Sequence, residues 1–148
     1  MAGGGDPFDL NRFPAAQEGV YSTALAEIVQ GRKRSHWMWY LFPQIAGLGF
    51  SAMSKRYAIE SEAEARAYLE HSILGMRLRK CAKALRLVEG RSASQIFGSP
   101  DDMKLRSCLT LFAAVSPRGS LFHALLEKYC QGEPDEATLR LLGIDSLE

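Results

Sequence analysis

The sequence lacks any apolar run near the roughly 20 residues that a membrane-spanning helix needs. Its first residues, Met1-Ala2-Gly3-Gly4-Gly5-Asp6, hold no basic segment followed by an apolar one, so they do not read as a secretory leader. The acids Asp6 and Asp9 argue against an organellar transit segment. Cysteine is scarce: Cys81, Cys108 and Cys130 are odd in number and far apart, which fits neither a disulfide framework nor a zinc motif. Cys81 and Cys108 fall on apolar helical faces, where a free thiol packs as a small hydrophobe. A reducing, cytoplasmic setting is therefore expected. Histidine is also scarce, and His71 and His123 stand alone with no metal-ligand spacing, so no metal is assigned. There is no Gly-x-Gly-x-x-Gly, no Gly-Lys-Ser/Thr phosphate loop and no Gly-x-Ser-x-Gly, which disfavours those enzyme classes and leaves no cofactor to assign. Neither charge dominates: 18 Lys and Arg against 17 Asp and Glu leave a net charge of +1. No global field then draws in nucleic acid or a membrane, and neither is expected as a partner.

What remains is ordinary globular material. A length of 148 residues fits one domain, and 47% hydrophobic with 24% charged residues excludes wholesale disorder. The glycines at the start read as a flexible tail over residues 1–7, with a single helical domain over 8–148. No stretch shows sustained β-branched alternation, and apolar residues recur instead at helical spacing.

Val20, Tyr21, Ala24, Leu25 and Ile28 predict a helix from about Gln17 to Gln30, stopped by Gly31. Ser35 is an expected cap before the aromatic block that ends at Pro43. Ser61 with Glu64, and Ser92 with Gln95, are capping-box pairs. Leu74, Leu78, Cys81, Leu85 and Val88 form the apolar stripe of a longer helix. Ser99-Pro100-Asp101-Asp102 predicts a helix start, with serine as cap and the acids facing the positive end of the dipole. Helices from Ser120 to Cys130 and from Pro134 to Leu142 follow. The expected fold is all-α, a compact irregular bundle of six to eight short and medium helices.

Chemistry concentrates between Ser35 and Gln44, which hold both tryptophans with His36, Tyr40 and Phe42. On a helix His36 and Tyr40 share a face, with Gln44 a turn further on if the helix bends past Pro43. An aromatic wall beside an imidazole, a phenol and an amide suits a planar polar ligand, and histidine moves protons near neutral pH. The same block serves equally as a core anchor, since tryptophan buries a large area. Lys104, Ser107 and Thr110 lie on one side of a largely apolar helix, where a lysine beside hydroxyls is able to meet an anion, or simply faces solvent. Arg79, Lys80, Lys83 and Arg86 make a basic stripe away from the apolar face of their helix.

The blocks Arg34-Ser35-His36-Trp37-Met38-Trp39-Tyr40-Leu41-Phe42-Pro43-Gln44, Leu74-Gly75-Met76-Arg77-Leu78 and Ile96-Phe97-Gly98-Ser99-Pro100-Asp101-Asp102-Met103-Lys104-Leu105 occur in order. With Gly47-Leu48-Gly49 and Tyr68-Leu69, the chain resembles the domain-of-unknown-function family eighteen-ten over about residues 8 to 143. Some members carry the label "calpastatin-like", but such a calpain inhibitor is a disordered repeat protein and this composition is globular. The resemblance implies a small all-helical protein with no established activity. It also implies that the aromatic block and the Pro-Asp-Asp-x-Lys block belong together.

These readings converge on a nucleotide-like small molecule as ligand. The expected pocket takes His36 as a proton donor or acceptor, Trp37 as a stacking ring, and Tyr40, Gln44, Lys104 and Ser107 as binding groups. Its owner is either a binder or an enzyme on a nucleotide-derived or N-glycosidic substrate. The alternative is a non-enzymatic interaction module that uses the basic face of Arg79, Lys83 and Arg86.

Overall fold

Nearly every side of one helix is covered in this fold. Leu105, Cys108, Leu109, Leu111, Phe112 and Ala113 are all buried along Asp101–Ala114, so apolar residues on one side alone do not describe it. The computed structural model describes residues 6–147, and within them ten helices follow in order. They are α1 (Arg12–Gln17), α2 (Tyr21–Gln30), α3 (Met38–Leu41), α4 (Ala52–Arg56), α5 (Glu62–Glu70), α6 (Leu74–Leu87), α7 (Ala93–Phe97), α8 (Asp101–Ala114), α9 (Leu121–Cys130) and α10 (Glu136–Leu142). The architecture is all-α. Its one extended contact among the described residues is an isolated parallel bridge between Ile45 and Ile59.

Local chemistry explains most of the boundaries. Ser61, Ser92, Ser120 and Asp135 accept backbone N–H groups from Glu64, Gln95, His123 and Thr138, which satisfies donors that a helix start leaves open. Gly31 takes a left-handed φ of 76° after α2 and sends the chain back across that helix. Gly75 is required by a close approach: a Cβ there would sit 2.0 Å from the carbonyl oxygen of Leu69, at the end of α5. Arg79 reaches the same carbonyl at 3.0 Å.

Helices α5, α7, α9 and α10 pack around α8, while α2 and α9 pack on α6. One continuous apolar cluster joins them, from Phe13 and Ile28 through Trp37, Tyr68 and Leu78 to Phe112 and Leu125.

Three local expectations need correction. The first predicted helix divides at residues 18–20, so Gln17 belongs to α1, where its buried amide donates to the Tyr40 carbonyl at 2.6 Å. Ser99 does not cap α8: no side chain caps that helix, Pro100 precedes it, and the Ser99–Pro100 peptide is cis. Ser35 caps nothing, because its hydroxyl is claimed by Glu27 at 2.6 Å. Of the expected tail at residues 1–7, the first five lie outside the described residues. Asp6 accepts the N–H groups of Leu10 and Asn11 at 2.8 and 2.9 Å.

No helix among the described residues is long and apolar enough to cross a membrane.

Candidate functional site

The site begins with a buried acid. Glu27 projects from α2 under the returning chain and accepts four hydrogen bonds. They come from the N–H groups of Arg34 (2.8 Å) and Ser35 (3.1 Å), the Ser35 hydroxyl (2.6 Å) and the Trp37 indole (2.9 Å). Burial alone would raise the carboxyl pKa. The hydrogen bonds from Ser35, Arg34 and Trp37 outweigh it and lower the pKa from 4.5 to about 2. One charged side chain thus folds residues 34–37 into a fixed loop.

The loop meets the start of α8 through lysines. Lys33 donates to the Ser35 carbonyl at 2.6 Å and pairs with Asp101 at 2.9 Å, with its side chain almost enclosed. Asp101 also lies 3.5 Å from Lys104. The Lys104 ammonium stands 5.1 Å from the centre of the Trp39 ring, within cation–π range.

Two clefts open on either side of this pair, and Met38, Trp39 and Lys104 line both. The larger, about 390 Å³, is walled by Lys33, Arg34, Ser35, His36, Ser99 and Asp101. Its charge is mainly positive. The smaller, about 100 Å³, is walled by Gln44, Ala46, Ser54, Lys55, Ala58 and Glu60 among others.

The Ile45–Ile59 bridge builds the smaller cleft. Alternate residues in extended chain point to opposite faces, so Ile45 and Ile59 go inward and are buried, with Ile45 at the floor of the cleft. Gln44, Ala46, Ala58 and Glu60 take the other face and all line the cleft. The wall is held from behind by Arg12, whose guanidinium donates to the carbonyls of Phe8, Asp9, Arg56 and Ala58 and to the buried carboxylate of Glu64.

Of the six residues expected at a ligand site, His36, Gln44 and Lys104 line the clefts, with His36 and Lys104 on the larger one together. The other three line neither. Trp37 is enclosed between Phe42 and Phe97 with its N–H committed to Glu27, so its ring has no free face for a ligand. Tyr40 stacks edge-on against Tyr57 and donates to the His36 carbonyl. Ser107 is buried and donates to the Met103 carbonyl one turn back. Thr110 does the same to Arg106 and also accepts the N–H of Asp135, so of the polar line on α8 only Lys104 reaches a cleft.

Trp39 as a cleft residue, Glu60 and the organising Glu27 escape the sequence reading. One signal was present: Trp37 stands just before α3 and Trp39 two residues on within it, so they point in different directions, and only one is able to enter the core.

The remaining candidates lie elsewhere. His71 accepts the N–H groups of Ile73 and Leu74, and His123 pairs with the Ser120 hydroxyl at 2.7 Å. The three cysteines are free and buried, and burial pushes the Cys81 thiol up to about 12. Among the described residues no group of three or more His, Cys, Asp or Glu side chains is arranged to hold a metal. Arg79, Lys80, Lys83 and Arg86 lie exposed along α6, with Leu87 beside them 80% exposed.

Comparison with known proteins gives a family and a close structural counterpart. The sequence profile described as "Protein of unknown function (DUF1810)" matches residues 7–142, and the chain belongs to that family. The solved structure of the conserved hypothetical protein Rv1873 from Mycobacterium tuberculosis is similar, with 50% identity and a TM-score of 0.92. That likeness covers 95% of this chain and all of the other. No curated protein matches.

Proposed function

We propose that this member of a family of unknown function binds a nucleotide-like small molecule in the double cleft around Trp39. One observation carries the reading. A half-buried tryptophan with a lysine over its ring stands between two clefts, one of them lined by Arg34, His36 and Lys104. A planar base stacks on the indole, and an anionic group meets the cations. Asp101 offsets Lys33, which is nearly enclosed, while the side chain of Arg34 has no hydrogen-bond or ion-pair partner among the described residues.

Trp39 thereby takes the stacking role expected of Trp37. His36 is the only one of the three histidines on these clefts, so it is the imidazole placed for proton transfer to a bound ligand. The reaction class it suits is cleavage or transfer on a nucleotide-derived or N-glycosidic substrate.

A thermal-shift screen of the purified protein against nucleotides, dinucleotides and sugar phosphates tests the reading. Ligand at a hundredfold excess over its dissociation constant stabilises by about 2.7 kcal/mol, enough to raise Tm by several degrees. The shift is expected to vanish in Trp39→Ala and Lys104→Ala. Shifts unchanged in both variants sink the proposal.

The exposed stripe on α6 supports a second reading, an interaction module. Lys80 and Lys83 have no ion-pair partner among the described residues, and Leu87 lies next to them. Charge reversal at Lys83 and Arg86 that abolishes binding of a protein partner, with no effect from His36→Ala, would favour it.

A further inference from the structure

The two clefts differ in chemistry, and the difference constrains the ligand. This inference rests on the nucleotide reading and deepens it. The larger cleft offers the cations Arg34 and Lys104 beside the His36 imidazole, around a space of about 390 Å³. The smaller offers something else. Its wall is the outward face of the 44–46 and 58–60 segments, locked in register by Ile59 N–H to Gln44 carbonyl and Ala46 N–H to Ile59 carbonyl, both 2.8 Å. The residues on that face are large, small, small and large: Gln44, Ala46, Ala58 and Glu60. The two alanines leave an open shelf between an amide and a carboxylate.

Neither polar side chain is used by the fold. Only the backbone N–H of Glu60 is engaged, by Glu64 at 2.9 Å, and only the backbone carbonyl of Gln44, by Ile59. The Gln44 amide and the Glu60 carboxylate have no partner among the described residues. By contrast, the nearby hydroxyls are occupied: Tyr57 accepts from Arg56, and Ser54 is bonded to Ser51.

A carboxylate accepts from two hydroxyls at once, and an amide both donates and accepts, so this pair suits a vicinal diol. Trp39, common to both clefts, carries the flat or apolar part of the same molecule.

We propose that the double cleft reads a ribose phosphate ester, with the phosphate between Arg34, His36 and Lys104 and the ribose diol on the shelf between Gln44 and Glu60. The occupant is then a ribonucleotide rather than a deoxyribonucleotide or a free nucleoside. Discrimination comes from the diol, because a site built to bond a hydroxyl is left with unpaired polar groups when that hydroxyl is missing.

Isothermal titration of adenosine 5′-monophosphate, its 2′-deoxy analogue and ribose 5-phosphate into the wild-type protein, Glu60→Gln and Gln44→Ala tests this. Both residues are at the surface of the cleft, and neither side chain holds the fold. The ribonucleotide is expected to bind about tenfold more tightly than the deoxyribonucleotide, with detectable binding of ribose 5-phosphate. Glu60→Gln should bring the ribonucleotide close to the deoxy value, with a smaller loss for the deoxyribonucleotide, which keeps only its 3′-hydroxyl. Equal affinity of the two nucleotides for the wild type overturns the diol shelf and leaves the phosphate and base sites standing. A preference retained in both variants overturns it as well. Absence of binding by all three compounds overturns the nucleotide reading itself.

Discussion

Glu27 accepts the indole N–H of Trp37 at 2.9 Å, and this bond ties the wall of the larger cleft to the centre of the core. The same carboxylate holds the backbone of Arg34 and Ser35, so the position of Arg34 and His36 depends on an acid that never faces the cleft.

Stability should therefore depend on pH through Glu27. Its carboxyl is depressed from 4.5 to about 2, so the contribution is complete above the unfolded value and is lost as pH falls toward 2. A depression of that size is worth about 3 kcal/mol. Urea unfolding between pH 6 and about pH 2 should show that loss in the wild type. Glu27→Gln should be destabilised by about 2–4 kcal/mol at pH 7, with a flatter pH profile. Parallel profiles for the two proteins would refute the assignment.

The two tryptophans should behave oppositely. Trp37→Ala empties a fully buried site and should cost about 3–5 kcal/mol in denaturant unfolding. Trp39→Ala removes a half-buried ring and should cost about 1–2 kcal/mol while abolishing nucleotide binding. Equal stability losses would show that the indoles are not divided between core and cleft.

Arg12 should matter far more than its surface-like sequence context suggests. Its guanidinium closes five hydrogen bonds, one to the buried Glu64, and clamps residues 56–58 against α1. Arg12→Lys cannot reproduce that planar fork and should cost about 2–3 kcal/mol. Hydrogen exchange should accelerate at Ala46 and Ile59, whose N–H groups form or border the bridge. Unchanged exchange there would separate Arg12 from the cleft wall.

The thiols should be silent in the folded state. Cys81, Cys108 and Cys130 are buried, and burial raises all three thiol pKa values. Reaction with a chromogenic disulfide should require unfolding, after which all three react. Rapid labelling of the native protein would contradict the burial.

Much of the fold was legible in the sequence because its signals are local. The capping serines at 61, 92 and 120 and the glycines at 31 and 143 set helix ends through neighbours within a turn. The all-α class followed from the same periodicity. The site was legible only in part. His36, Gln44 and Lys104 reach the clefts, but which tryptophan joins them depends on Glu27, ten residues before Trp37 and without any motif. Ser107 and Thr110 looked available because helical spacing cannot show how completely other helices cover α8. The Gln44–Glu60 shelf depends on a single bridge between distant segments, which leaves no periodic trace.

The most direct test follows the two indole N–H signals during titration with adenosine 5′-monophosphate. The protein has two tryptophans, so a nitrogen–proton correlation spectrum holds two such peaks, assigned by Trp39→Phe. The Trp39 peak should move saturably with ligand, while the Trp37 peak, held by Glu27 in the core, stays in place. A Trp39 peak that does not move at saturating nucleotide would contradict the account.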